Sequence, residues 1–414
     1  MTHRTFRALH QPINQGMILN CRGLAAAVTL CFVLCSSGCA RDRQSVISDI
    51  TAIGGKLTLD SNGDPTAIQI ESNYEATLQL VHQLPTVREL RIFVDDLDEN
   101  LTDSEMPLIG RLTQLTCLEF HGTKVTDKGF SELAALKDLR ELRVQNNHVT
   151  ERGLQVLASL QRLETLYLCV GHITTRSLKF MDSLPALKSL TLHGKEVSDS
   201  VFDEVKNLAR LEFLDLSLTM ISDIGMARIA ECRQLRTLRI PVTNVTDEGI
   251  MHLRDLPELR ELALPPGSND ATLERLAPFQ KLTYISVSGK SITDKGLQTL
   301  GNWKKLESVS VFSSGISDAG IKALAGLTSL KTLRIGESKH VSDESVECLL
   351  ALTQLEHLQF FGGNFTDVGV KKCCSLRKLK TLYLISPAIT GEAVQELRDL
   401  LPHCEVLTAL QAVR

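Results

Sequence analysis

The feature that most constrains this chain is a period. An apolar residue heads the same pattern at Val87, Leu115, Leu139, Leu163, Leu187, Leu211, Leu235, Leu259, Leu282, Leu306, Leu330, Leu355 and Leu379. After a first gap of 28 the spacing is 24, with single-residue slips to 23 and 25. A fixed period in this range means that each unit is one supersecondary element that buries its apolar face only against its neighbours. The chain is therefore expected to be an array.

Each unit reads LxxLxLxxTxVTDxGLxxLxxL. The LxL part alternates, as a strand with one buried face must. The second half spaces apolar residues by three, as in Phe130, Leu133 and Leu136, which marks one face of a short helix. Between them lies a turn phrase: "VTDKGF" at Val125–Phe130, "VTDEGI" at Val245–Ile250, "ITDKGL" at Ile292–Leu297. Ser or Thr holds its second place in twelve of the thirteen units, Asn269 holds it in the other, and Asp follows in ten. Hydroxyl and carboxylate oxygens there suit the free N–H groups and the positive end of a helix. The phrase is expected to build rather than to catalyse or bind calcium.

These units resemble leucine-rich repeats. Their "TDxGL" turns are similar to the cysteine-containing and ribonuclease-inhibitor-like variants, and to repeat proteins that some bacteria export as lipoproteins. The resemblance implies an α/β leucine-rich repeat solenoid: a right-handed β/α horseshoe with a parallel concave sheet and outer helices. One column departs. The asparagine expected after LxL stands only at Asn147, and Thr123, Gly171, Lys195, Thr219 and Thr243 hold the place elsewhere. The side-chain ladder must be looser, or made by threonine.

The rest of the chain falls around the array. Residues 1–38 read as a signal peptide. They carry no Asp or Glu but do carry Arg4, Arg7 and Arg22, then the uncharged run Leu24–Cys35, then Ser36, Ser37 and Gly38 ahead of Cys39. That run is too short for a span of about 20 residues and fits an export leader. The pattern resembles a bacterial lipoprotein signal with Cys39 as the lipidated residue, although Ser36 stands where such signals favour Leu. Ordinary cleavage or a retained anchor remains an alternative, and Met17 offers a second start. Residues 39–86 read as a tether and an N-terminal β-hairpin cap, 87–400 as about thirteen 24-residue units, and 401–414 as a C-terminal cap.

Chemistry is sparse. No P-loop, GxSxG, HExxH or GxGxxG occurs, so the chain is read as non-enzymatic, with no cofactor, no metal and no small-molecule substrate. A net charge of −4 argues against a nucleic-acid partner. Beyond the leader, seven scattered cysteines show no zinc-type pairing and are too few and odd in number for a full disulfide framework. His148, His172 and Glu196 share a column in adjacent units and form a weak zinc candidate against a plain solvated edge. Trp303, at a core position of its helix, is expected to pack inside.

The outward strand positions carry more. Aromatic residues are only 4% of the chain, yet Tyr284, Phe312, His357, Phe361 and Tyr383 fall on the last five rungs, with Arg334 among them. Exposed rings beside an arginine have the composition of an interface hot spot. The rival reading is that the rings pack on one another. The expected function is a protein–protein interaction scaffold of the cell envelope, anchored through Cys39 and binding a protein on its concave face. A carbohydrate or cell-wall binding protein is the alternative. A substrate-recognition subunit like the F-box repeat proteins is less favoured, because no F-box-like segment precedes the repeats.

Overall fold

The structure, a computed structural model, describes residues 42–93, 101–146, 148–170, 176–203, 208–313 and 315–408. Sixteen strands form one sheet in sequence order. The first two, Lys56–Leu59 and Pro65–Ile70, are an antiparallel hairpin. Every later strand pairs parallel with its predecessor, beginning with Pro65–Ile70 against Glu89–Phe93 and ending with Thr381–Leu384 against Glu405–Thr408. Short α- or 3-10-helices connect the rungs on the other side. The architecture is an α/β leucine-rich repeat horseshoe. The segment read as a tether contains a helix, Arg43–Ala52, whose Val46 and Ile50 are buried in the core. Short apolar spacing in ten residues gave too weak a signal to separate helix from linker.

One core runs the length of the molecule, from Val46 to Val406. The paired residues of each LxL fill it; Leu118 and Phe120 are fully buried, as are Leu333 and Leu358. Trp303 is 1% exposed, inside as expected, and its indole Nε1 finds no hydrogen-bond partner. In place of an asparagine ladder, buried hydroxyls donate to loop carbonyls: Thr219 to Leu216, Ser268 to Pro265, Ser313 to Ile292, Ser338 to Ser313 and Ser386 to Phe365, all between 2.6 and 2.8 Å.

The turn phrase does more than cap. Its hydroxyl accepts from the second helical N–H, as Thr126 does from Lys128 at 3.3 Å. Its aspartate, however, serves the next unit. Asp103 accepts from Thr126 N at 2.8 Å, from Thr126 Oγ1 at 2.6 Å and from Gly129 N at 3.0 Å. Asp270 binds Thr293 in the same way, Asp294 binds Ser317, and Asp343 binds Thr366. The aspartates do stand in the first turn of their own helices, as expected, and their carboxylates also clamp one repeat to the next. The glycine of the phrase follows from the clamp. A Cβ on Gly129, Gly153, Gly225, Gly249, Gly296, Gly320 or Gly369 would lie 2.2 to 2.5 Å from the preceding unit's carboxylate oxygen. Where that glycine is replaced in clamped units, Thr272 and Ser345 donate their own hydroxyls to Asp247 and Asp318, whereas Ala393, beyond the Asp367–Thr390 clamp, gives its backbone N–H to the Thr390 cap. Val201 takes the glycine's place only where the preceding unit has Thr175 instead of Asp.

Candidate functional site on the concave face

Parallel in-register pairing lines the outward side chains into columns. One column runs Phe312, Gly336, Phe361. Beside it runs Ser310, Arg334, Gln359, Tyr383. A third holds Tyr284, Ser308, Thr332, His357 and Thr381. Phe312 and Phe361 are two rungs apart, yet their rings stack at 6.0 Å between centroids with 25° between planes. The gap is closed over Gly336. A Cβ on Gly336 would lie 2.1 Å from Phe312 Cδ1, so only a glycine lets the ring lean across. Phe361 is still 37% exposed. The rings do pack on each other, then, and they remain at the surface while doing so.

Arg334 lies next to this stack. Its Nε donates to Gln359 Oε1 at 3.1 Å. His357 Nδ1 lies 2.9 Å from Thr381 Oγ1. Tyr383 stands one rung beyond Gln359 in the arginine's column. Five of the six residues read from the sequence therefore gather on three rungs plus Phe312. Tyr284 does not join them. It lies three rungs from His357 in the same column, about 14 Å at ordinary strand spacing.

The middle of the same face holds a polar chain that the sequence reading passed over. The rings of Tyr167 and His193 meet edge-on at 5.4 Å, and the Tyr167 hydroxyl is 3.4 Å from His193 Nδ1. His193 Nε2 lies 3.3 Å from Asp215 Oδ1. Asp215 also accepts from Ser217 N at 2.9 Å and lies 3.9 Å from Arg239 NH1, whose guanidinium sits 5.2 Å above the Phe213 ring. Burial alone would raise the Asp215 pKa, but the hydrogen bonds from His193 and Ser217 more than reverse it and hold the carboxyl below its ordinary value. Burial pushes the Tyr167 hydroxyl and the neighbouring Cys169 thiol upward. Both therefore keep their protons at neutral pH. A signal existed: Tyr, His, Asp and Arg occupy facing columns of consecutive rungs. It was hidden because Tyr167–His193 and His193–Asp215 run diagonally between columns, and only Asp215 and Arg239 are direct partners.

At the loop rim above this chain, Leu218 and Val242 adopt φ of +61° and +57°. Their apolar side chains are 54% and 53% exposed, and Met220 beside them is 47% exposed. A β-branched residue in that region is strained. Nearer the N-terminus, the charged early rungs satisfy one another. His121 bridges Glu119 at 2.7 Å and Gln145 at 3.0 Å, and Arg91 lies 3.0 Å from Glu89.

The metal candidate cannot be completed from the described residues. His172 lies outside the described residues, as do Cys39 and Asn147, and among the described residues no cluster of three His, Cys, Asp or Glu gathers with metal-holding geometry. The seven later cysteines are free. Burial pushes Cys117 and Cys404 up to about 11 and Cys232 up to about 12. Among the described residues no helix is long and apolar enough to cross a membrane.

Residues 304–325 match the family model described as "Leucine Rich repeat". None of the curated proteins matches the sequence. Solved structures with a similar chain path include an internalin from Listeria monocytogenes, at 21% identity over 88% of this chain and 94% of that one, with a TM-score of 0.40. A leucine-rich repeat protein of Leptospira interrogans aligns at 17% identity over 79% of this chain and 91% of that one, with a TM-score of 0.38. A Toll–Spätzle complex from Drosophila aligns at 13% identity over 83% of this chain and 50% of that one, with a TM-score of 0.42. At these identities the likeness is one of fold alone, and what the repeat and the sheet together establish is a leucine-rich repeat solenoid, an architecture of extended concave binding surfaces.

Proposed function

We propose that this protein is a non-enzymatic scaffold of the cell envelope that binds a protein partner on the late rungs of its concave sheet. The observation that carries the reading is the Phe312–Phe361 stack over Gly336. Two large rings stack while partly exposed, over a residue whose evident contribution is to make room for them. Rigid aromatic surface at low entropic cost is what interface anchors supply. Export and attachment rest on the leader and on Cys39 as the lipidated residue, so the partner is sought in the envelope.

The exposed ring faces also favour one second reading, a sugar platform. A paired capture separates the two. The chain from Ala40 and its Phe312→Ala/Phe361→Ala/Tyr383→Ala variant are immobilised and exposed to cell-envelope extract. A protein retained by the first and lost from the second supports the scaffold. Retention of wall polysaccharide instead, with the same loss, supports the sugar platform. Identical retention on both baits removes the late rungs as the site. The anchor has its own test: radiolabelled palmitate is expected in the wild-type chain and absent from Cys39→Ser.

A further inference from the structure

Among the described residues the concave strands carry four outward arginines, and one of them differs from the rest. Arg91 lies 3.0 Å from Glu89 and 3.7 Å from Glu119. Arg143 lies 2.5 Å from Glu141, and Arg239 lies 3.9 Å from Asp215. Arg334 forms no ion pair among the described residues. The reason is composition along the rungs. The strands Tyr284–Ser288, Ser308–Phe312, Thr332–Gly336, His357–Phe361 and Thr381–Leu384 contain no Asp or Glu at all. Of the flanking carboxylates, Glu307 pairs with Lys331 at 2.6 Å and Glu356 with Lys380 at 2.5 Å, while Glu261 and Glu405 stand at the outer edges, beside Tyr284 and Thr381, two or more strands from Arg334. Glu337 leaves the sheet through a left-handed turn at φ +60° and makes no ion pair with Arg334.

A single partly buried guanidinium with no carboxylate on its own strand or on either neighbouring strand is an electrostatic demand. The Gln359 oxygen holds Nε at 3.1 Å and so fixes the plane of the group. The two terminal nitrogens have no protein partner among the described residues. A fixed, planar, donor-only fork matches a carboxylate, which it binds through two parallel hydrogen bonds. Desolvating that cation under a partner without supplying an anion would be costly. Arg334 and Gly336 are two residues apart on one strand, so the fork lies about 7 Å along the strand from the centre of the Phe312–Phe361 stack.

We infer that the occupant of the late rungs is a protein segment that presents an Asp or Glu side chain to Arg334 and, one or two residues away, a large apolar side chain to the Phe312–Phe361 stack. This rests on the concave-face reading above and adds to it the partner's chemistry. Charge complementarity selects the acid, and the spacing of the two subsites selects the short separation in the partner's sequence.

The test is selection of peptides rather than of an unknown protein. A phage-displayed library of random dodecapeptides is panned on the immobilised full-length protein in detergent. The Arg334→Gln, Arg143→Gln and Phe312→Ala/Phe361→Ala variants serve as parallel baits, and hyaluronan, an acidic polysaccharide, is the competing probe. Thermal melting confirms that each bait is folded. The expected result is enrichment of sequences with an acidic residue within two positions of Phe, Trp, Tyr or Leu. Their affinity falls about tenfold or more on Arg334→Gln and is unchanged on Arg143→Gln. Replacing the peptide's acid by its amide gives the same loss, and the two losses do not add. Enriched peptides that lack acids, or whose losses add, overturn the carboxylate inference while leaving the concave site standing. Peptides that bind the Phe312→Ala/Phe361→Ala bait as well as wild type overturn the site as well. Enrichment of nothing, with Arg334-dependent binding of hyaluronan, overturns both in favour of an acidic sugar.

Discussion

Phe312 and Phe361 touch across a rung that neither belongs to. Their backbones are separated by the strand of Gly336, and the contact exists because that residue has no side chain. Replacing Gly336 by Ala removes the space while leaving an extended backbone that alanine adopts freely. We expect Gly336→Ala to keep the fold, with a melting temperature within a few degrees of wild type, and to lose partner capture to the same degree as Phe312→Ala. A folded variant that binds normally would mean the stack has no part in recognition, and one that melts far lower would mean Gly336 is needed for packing.

The aspartate clamp sets a stability prediction. Asp294 accepts from Ser317 N at 2.8 Å and from Ser317 Oγ at 2.6 Å, and a Cβ on Gly320 would lie 2.3 Å from its Oδ1. Charge-assisted bonds to a partly buried carboxylate support a loss of about 2 kcal/mol for Asp294→Ala. Gly320→Ala is expected to cost about 1–3 kcal/mol by overpacking. In the double variant the methyl meets no carboxylate, so the combined loss should fall short of the sum by about 1 kcal/mol or more. Urea denaturation of the four proteins completes the cycle, and strict additivity would refute the clamp.

Three clamp carboxyls, Asp103, Asp318 and Asp367, have depressed pKa values. Burial would raise the Asp103 and Asp318 pKa values, but hydrogen bonds from Thr126 and Gly129, and from Ser345 and Ser342, outweigh it and lower both. Asp367 is lowered by bonds from the Thr390 N–H and hydroxyl. A carboxyl whose folded pKa is depressed contributes stability that is present above the unfolded value, near 4, and is lost as pH falls through the folded one. Melting temperature should therefore be flat from about pH 7 to 5 for these groups and drop below about pH 4. Asp318→Asn should start lower at neutral pH and show a shallower acid limb. An unchanged acid limb in that variant would contradict the assignment.

Much of this was legible in the sequence, for reasons that also mark where legibility stops. A strand has period two, so an LxL motif fixes which residues face outward once the strand is identified. That is why Phe312, Arg334, Phe361 and Tyr383 could be placed on one face from the sequence. The repeat period then fixed their neighbours. What the period cannot show is lean. Nothing in a column list says that a ring two rungs away closes over Gly336, or that Tyr167 reaches His193 diagonally and His193 reaches Asp215. The clamp was missed for a different reason. Local rules assign Asp103 to the helix that begins beside it, whereas its partners, Thr126 and Gly129, lie 23 and 26 residues away. The trace of that contact was present in the pattern of exceptions, since Val201 replaces glycine where Thr175 replaces aspartate.

The rim loops offer a test of stored strain. Leu218 and Val242 hold left-handed backbones that only glycine adopts without cost, and both expose apolar side chains. Relief of that strain, offset by the larger entropy of an unfolded glycine, predicts that Val242→Gly stabilises by about 0.5–1 kcal/mol. Leu218→Gly should do the same, read by urea denaturation. Destabilisation by either would mean that the side chain makes a contact worth more than the strain.

The account's central claim is that a protein docks on the late concave rungs. It is tested most directly by placing a photo-crosslinking phenylalanine analogue at position 361 in living cells, and at position 224 on the helix side, where Ile224 is 72% exposed. Irradiation is predicted to join position 361 to a discrete protein that position 224 does not capture, with the adduct abolished by Arg334→Gln. Adducts of equal yield at both positions, or a discrete adduct at 224 alone, would contradict it.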